Sequence, residues 1–123
     1  MLGDAPAAAV LPAADMARAT AFYTEKLGLK VVHAASEGTL FGAGGGTMVF
    51  VYEYGKTKAE HTVAVFRVSD LKATMESLKA NGIVFEDYDL PGLKTVDGVA
   101  ASESGNGAWF KDSEGNILSI IDM

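Results

Sequence analysis

The sequence predicts an α+β fold built from two tandem β-α-β-β-β units, and three observations carry that prediction. A short apolar run closed by an aspartate and a large apolar residue occurs twice, at Ala8–Met16 and Val63–Leu71, offset by 55 residues. A glycine follows each aspartate at similar spacing: Gly28 lies thirteen residues after Asp15, and Gly82 twelve after Asp70. The units also end alike, because Phe41–Glu53 lies 69 residues before Phe110–Asp122, matching Gly46 to Gly115 and Glu53 to Asp122.

Each element follows from local chemistry. Met16, Ala19, Phe22, Tyr23 and Leu27 share one helical face, with Asp15 typed to cap the first turn and Gly28 free to take the left-handed ending. Leu71, Met75 and Leu78 repeat that pattern between Ser69 or Asp70 and Asn81-Gly82. The remaining apolar runs are short, rich in Val, Ile and Phe, and bounded by turn residues, so they read as strands, including Leu29–Val32 and Ile83–Phe85. The glycine-rich stretch with Gly42, Gly44, Gly45 and Gly46 and the stretch Asp112–Asn116 read as hairpin turns rather than phosphate or calcium loops, and Pro91-Gly92 suits the centre of a type II turn. One such unit covers only one face of its sheet with its helix, so the other face must be buried by a partner unit or filled by a ligand.

A chain of 123 residues, 49% apolar, fits one domain, residues 1–123, with unit one at about 7–54 and unit two at about 60–123. The absence of cysteine removes disulfides and thiolate chemistry and is compatible with a cytoplasmic location. The Pro-containing apolar start, Ala5–Ala14, lacks the charged flank of a signal peptide and is too short to cross a bilayer. A net charge of −6 without a basic stripe argues against nucleic acid as a partner.

The repeated unit, with Asp15–Tyr23 in the first helix and Trp109–Leu118 near the end, resembles the vicinal oxygen chelate superfamily of glyoxalases, bleomycin-resistance proteins and extradiol dioxygenases. The segment Phe85–Gly98 is similar to a group of small members of that superfamily. The resemblance implies a curved mixed sheet around a cup, with a divalent metal held on the first and last strand of each unit. By position, those metal sites are Ala8, Phe50, Val63 and Ser119. Methyl, isopropyl and phenyl groups have no lone pair, and a neutral hydroxyl is a poor donor beside imidazole or carboxylate. No metal or other cofactor is therefore expected at the usual position.

Met48, Phe50 and Tyr52 alternate along one strand, and Ile117, Ser119 and Ile121 do so along its counterpart, giving an apolar cup. Either Trp109 or Phe110 faces it, but not both. The expected function is binding or sequestration of a small, partly aromatic molecule in a pocket lined by Phe50, Tyr52, Val63, Trp109 and Ser119. The competing reading is a lyase, isomerase or dioxygenase with an atypical metal or acid–base site, for which His61, Tyr52 and Glu53 are the available groups. In that reading, His61, which shares strand parity with Val63, approaches the cup if the second unit is aligned two residues away. A third reading is an interaction module without a ligand. The acidic segment 86–97 is expected to cap the cup, Lys94 and Arg67 are the nearest cations for a ligand anion, and a homodimer is expected over a monomer.

Overall fold

Two four-stranded sheets, each backed by one helix, form the frame in the computed structural model, which describes residues 1–123. The first unit comprises β1 (Ala8–Ala13), α1 (Met16–Ala21), β2 (Lys30–Ala34), β3 (Gly38–Gly42) and β4 (Met48–Glu53). The second comprises β5 (Thr62–Arg67), α2 (Leu71–Ala80), a small hairpin of β6 (Asp89–Leu90) and β7 (Leu93–Lys94), then β8 (Val99–Ser102), β9 (Gly105–Lys111) and β10 (Ile117–Ile121). Strand orders are β1-β4-β3-β2 and β5-β10-β9-β8, with β1–β4 and β5–β10 parallel and every other neighbouring pair antiparallel. The same mixed topology therefore occurs twice, and β1 and β5 meet where the units join.

The helix ends behave as their residues dictate. Asp15 accepts from the Arg18 amide at 3.0 Å and Asp70 from the Ala73 amide at 3.0 Å, each satisfying a donor left open at a helix start. The first helix continues as a π turn over Phe22–Lys26, which brings both Phe22 and Tyr23 into the core. Gly28 and Gly82 close the two helical segments at φ +75° and +91°, where a side chain would be strained.

One expected strand is displaced. Ile83–Phe85 contributes a single bridge, Phe85 to Phe110, and the edge place beside β9 is taken by Val99–Ser102. Ile83 and Phe85 instead pack on the core, because the intervening hairpin β6–β7 carries the chain away before it returns as β8. Leu11, Ala13, Phe41, Val49 and Val51 from the first sheet and Ala108, Phe110, Leu118 and Ile120 from the second form one buried cluster with residues of both helices. No helix is long and apolar enough to cross a membrane.

Candidate functional site: an apolar concave face

The face of each sheet opposite the core is set by strand alternation. Val49 and Val51 are buried in the core, so Met48, Phe50 and Tyr52 present their side chains to the other side. The Phe50 and Tyr52 rings stack at 5.9 Å with planes 9° apart, and Tyr54 extends the row at 5.6 Å. In the second sheet, Phe110 is 1% exposed within the core, which assigns Trp109 to the concave side beside Ser119. The indole Nε1 of Trp109 donates to Thr62 Oγ1 at 3.1 Å, and Tyr88 meets the ring edge-on at 6.0 Å. Burial together with nearby Glu86 raises the Tyr88 phenol above its ordinary value, keeping it a hydrogen-bond donor.

The segment 86–97 folds over this second half of the face. Leu93 and Lys94 border a cavity of about 270 Å³ together with Gly107, Trp109 and Ile121. Gly107 packs close beneath: a Cβ there would lie 3.4 Å from both the Trp109 ring and Ile121. Asp87 is not a free ligand carboxylate. It accepts from Thr95 Oγ1 at 2.7 Å and from the Gly98 amide at 2.8 Å, and these bonds, the hydroxyl foremost, hold it below the usual carboxylate range. Its work is to tie the loop to itself.

Strand register decides which residues sit at the four metal-type positions. Phe50 pairs with Val10 and Ser119 with Val65, while Ala8 pairs with Met48 at the end of the same face. A bulge between Ile117 and Leu118 shifts the start of β5, so Thr62 takes the place beside Ile117 and Val63 packs against the core. His61 lies outside the paired residues of β5, which begins at Thr62. His61 is exposed just before β5, Glu53 is exposed at the end of β4, and Tyr52 is half-buried on the opposite side of that strand from Glu53. Ser119 is buried at 3% exposure, whereas Val10 and Val65 remain 58% and 55% exposed. A divalent cation does not fit this donor set: the face offers carbon and one hydroxyl, and no three His, Cys, Asp or Glu side chains converge anywhere in the chain.

A polar cluster that the sequence did not disclose joins the units. Glu114, in the β9–β10 turn, accepts from the Ala14 and Asp15 amides at 2.9 and 3.0 Å and from Arg18 Nε and Nη2 at 2.8 and 3.0 Å. The Arg18 hydrogen bond, opposed by burial and aided by the amides and Ser113, lowers the Glu114 carboxyl to about 2. Asp112 Oδ2 accepts from Tyr23 Oη at 2.6 Å and Asn116 Nδ2 at 2.8 Å, and Asn116 Nδ2 also reaches the Pro12 carbonyl at 2.9 Å. The turn reading of Asp112–Asn116 accounts for Gly115 at φ +89° but not for four buried polar residues, Asp112, Glu114 and Asn116 here and Tyr23 opposite. Their only sequence signal is the run of polar types in a turn flanked by largely apolar strands.

This doubled β-α-β-β-β architecture with an open concave face defines a class of proteins. Residues 6–120 match the Glyoxalase/Bleomycin resistance protein/Dioxygenase superfamily, and the chain belongs to it. No curated protein sequence matches. Among solved structures, a glyoxalase family protein from Enterococcus faecalis is similar at TM-score 0.75 and 15% identity, covering 99% of this chain and 100% of that one. Lactoylglutathione lyase from Agrobacterium tumefaciens gives 0.73 and 17%, covering 97% and 93%. A mutant of the fosfomycin resistance protein FosX from Listeria monocytogenes, complexed with Mn(II) and 1S,2S-dihydroxypropylphosphonic acid, gives 0.67 and 15%, covering 95% and 89%. At these identities the likeness shows the fold.

Proposed function

We propose that the protein binds a small, partly aromatic molecule on its concave face without a metal at the superfamily position. The observation that carries this reading is the stacked Phe50–Tyr52 pair on one sheet, with Trp109 facing the same side on the other, where metal-binding members need electron-pair donors. Aromatic rings offer a large apolar contact at small entropic cost, and Tyr52 and Ser119 add hydroxyls that orient a ligand. Lys94, at the rim of the Trp109 cavity, supplies a cation for a ligand carrying negative charge. Sequestration in the manner of a drug-binding protein requires only this burial and a few polar contacts. The reading includes a cytoplasmic homodimer, supported by the absence of cysteine and by the exposed valines Val10 and Val65 in the open face.

Titration of the intrinsic fluorescence of Trp109, the sole tryptophan, against bicyclic aromatic compounds tests the proposal. Saturable quenching is expected, and Phe50→Ala weakens it about three- to tenfold, the worth of one aromatic contact. Failure of the whole panel, or stoichiometric zinc, nickel, manganese or iron in the purified protein by elemental analysis, would sink it.

A further inference from the structure

The two units are related by a sequence repeat, so each junction between them has a counterpart, and the two counterparts differ. At the first, the β9–β10 turn of unit two meets the end of β1 through the buried Glu114 and Asn116. By the 69-residue repeat, Ala43, Gly44, Gly45, Gly46 and Thr47 stand where Asp112, Ser113, Glu114, Gly115 and Asn116 stand. The backbone equivalence is direct: Ala43 N donates to Thr47 O at 2.8 Å, as Asp112 N donates to Asn116 O at 2.9 Å. The side chains that fill the first junction are missing from the second. A Cβ placed on Gly44, Gly45 or Gly46 would meet no atom within 4 Å, whereas the Glu114 side chain is wholly buried.

The second junction is accordingly open. It forms a groove of about 760 Å³ between the β3–β4 turn, with Ala9 and Met48, and the segment Ala64–Arg67 of β5. Nine of its thirteen lining residues are hydrophobic, and Arg67 is the sole ionisable side chain among them. Arg67 occupies the repeat position of Pro12 and takes part in neither of the two ion pairs in the molecule, Arg18–Glu114 and Lys111–Glu86. An apolar trough with a single guanidinium that takes part in no ion pair is complementary to one ligand chemistry.

We propose that this open junction is a second binding site, bordering the aromatic face through Met48 and Ile121 but centred on Arg67, for an apolar molecule carrying a single carboxylate. The hydrocarbon body lies along Ala9, Met48, Ala64 and Phe66, and the carboxylate pairs with Arg67, where both its oxygens match the planar donor fork. Such a ligand occupies the space that the Glu114 side chain fills at the other junction, and its carboxylate meets an arginine as Glu114 meets Arg18.

Octanoate is the probe, followed by amide chemical shifts of ¹⁵N-labelled protein, with octylamine as the charge-reversed control of equal length. Octanoate is expected to shift Gly44, Gly45 and Val65 saturably at millimolar concentration, with octylamine failing to do so. Arg67→Gln should weaken binding about tenfold, and Arg67→Lys should recover part of the loss. Equal affinity of the wild type and Arg67→Gln for octanoate, equal response to octylamine, or shifts confined to Trp109 and Phe50 would each overturn the proposal. So would the lack of any saturable shift in the folded wild type.

Discussion

Tyr23, in the helical segment of the first unit, donates a 2.6 Å hydrogen bond to Asp112, in the last turn of the second, and both are buried. The two residues lie 89 positions apart, so this bond fastens one half of the molecule to the other. Burial, assisted by the charge of Asp112, pushes the Tyr23 phenol well above its ordinary value, so the ring remains a donor across the accessible pH range.

Removing that donor isolates its contribution. Tyr23→Phe keeps the ring stacked on Phe41, whose centroid lies 5.3 Å away, and deletes only the hydroxyl. A hydrogen bond to a charged, buried acceptor is worth about 2 kcal/mol, so the urea midpoint should fall accordingly with the m-value unchanged. An unchanged midpoint would mean that Asn116 Nδ2 and the two turn amides satisfy Asp112 without help.

The acid limb of the stability curve should report on Glu114. Its carboxyl titrates at about 2 when folded, depressed first by the Arg18 hydrogen bond, against an ordinary value of 4.5. A depressed folded value means that the unfolded chain binds the proton more readily. The stabilisation is therefore fully present above pH 4.5 and is lost as pH falls toward 2. Asp87 and Asp122 are shifted in the same direction, so wild-type stability should drop through that window with several contributors. Glu114→Gln should flatten the limb relative to wild type in thermal melts taken from pH 6 to pH 2; parallel curves would remove Glu114 from the account.

Gly38 is required by contact rather than by backbone angle. A Cβ at this buried position in β3 would lie 2.6 Å from the Val51 carbonyl oxygen and 2.8 Å from Tyr52 Cα. Both are backbone atoms of β4 that cannot yield without opening the ladder. Gly38→Ala should cost about 1–3 kcal/mol, the range of overpacked positions, and should disturb the Tyr52 end of the aromatic row. Wild-type stability for this variant, measured by calorimetry, would show that the strands separate more easily than their register implies.

Much of the fold was legible because its signals are local. Asp15 and Asp70 cap because a short carboxylate before a helix reaches open amides, and Gly28 and Gly82 end the helices because only glycine takes that turn freely. The alternation of Met48, Phe50 and Tyr52 against Val49 and Val51 likewise needs no tertiary information. The bulge at Ile117 and Leu118 was not legible, since nothing in Thr62-Val63-Ala64 marks a one-residue slip, and that slip turned Val63 to the core. The strand expected at Ile83–Phe85 failed for a related reason: its β-forming residues are satisfied equally by packing on the core, and pairing went to Val99–Ser102.

The sequence by itself determined the repeat, the two capped helices, the apolar concave face and the carbon-rich residues at positions where metal-binding relatives carry donors, because each follows from residue type and short-range spacing. Tertiary structure alone decided that Glu114 reaches Arg18 across 96 residues and that its repeat counterpart Gly45 leaves a groove beside Arg67. Those outcomes depend on how two similar units are set against each other, and the energy of a buried charge or an unfilled space is fixed only when its distant neighbours are in place.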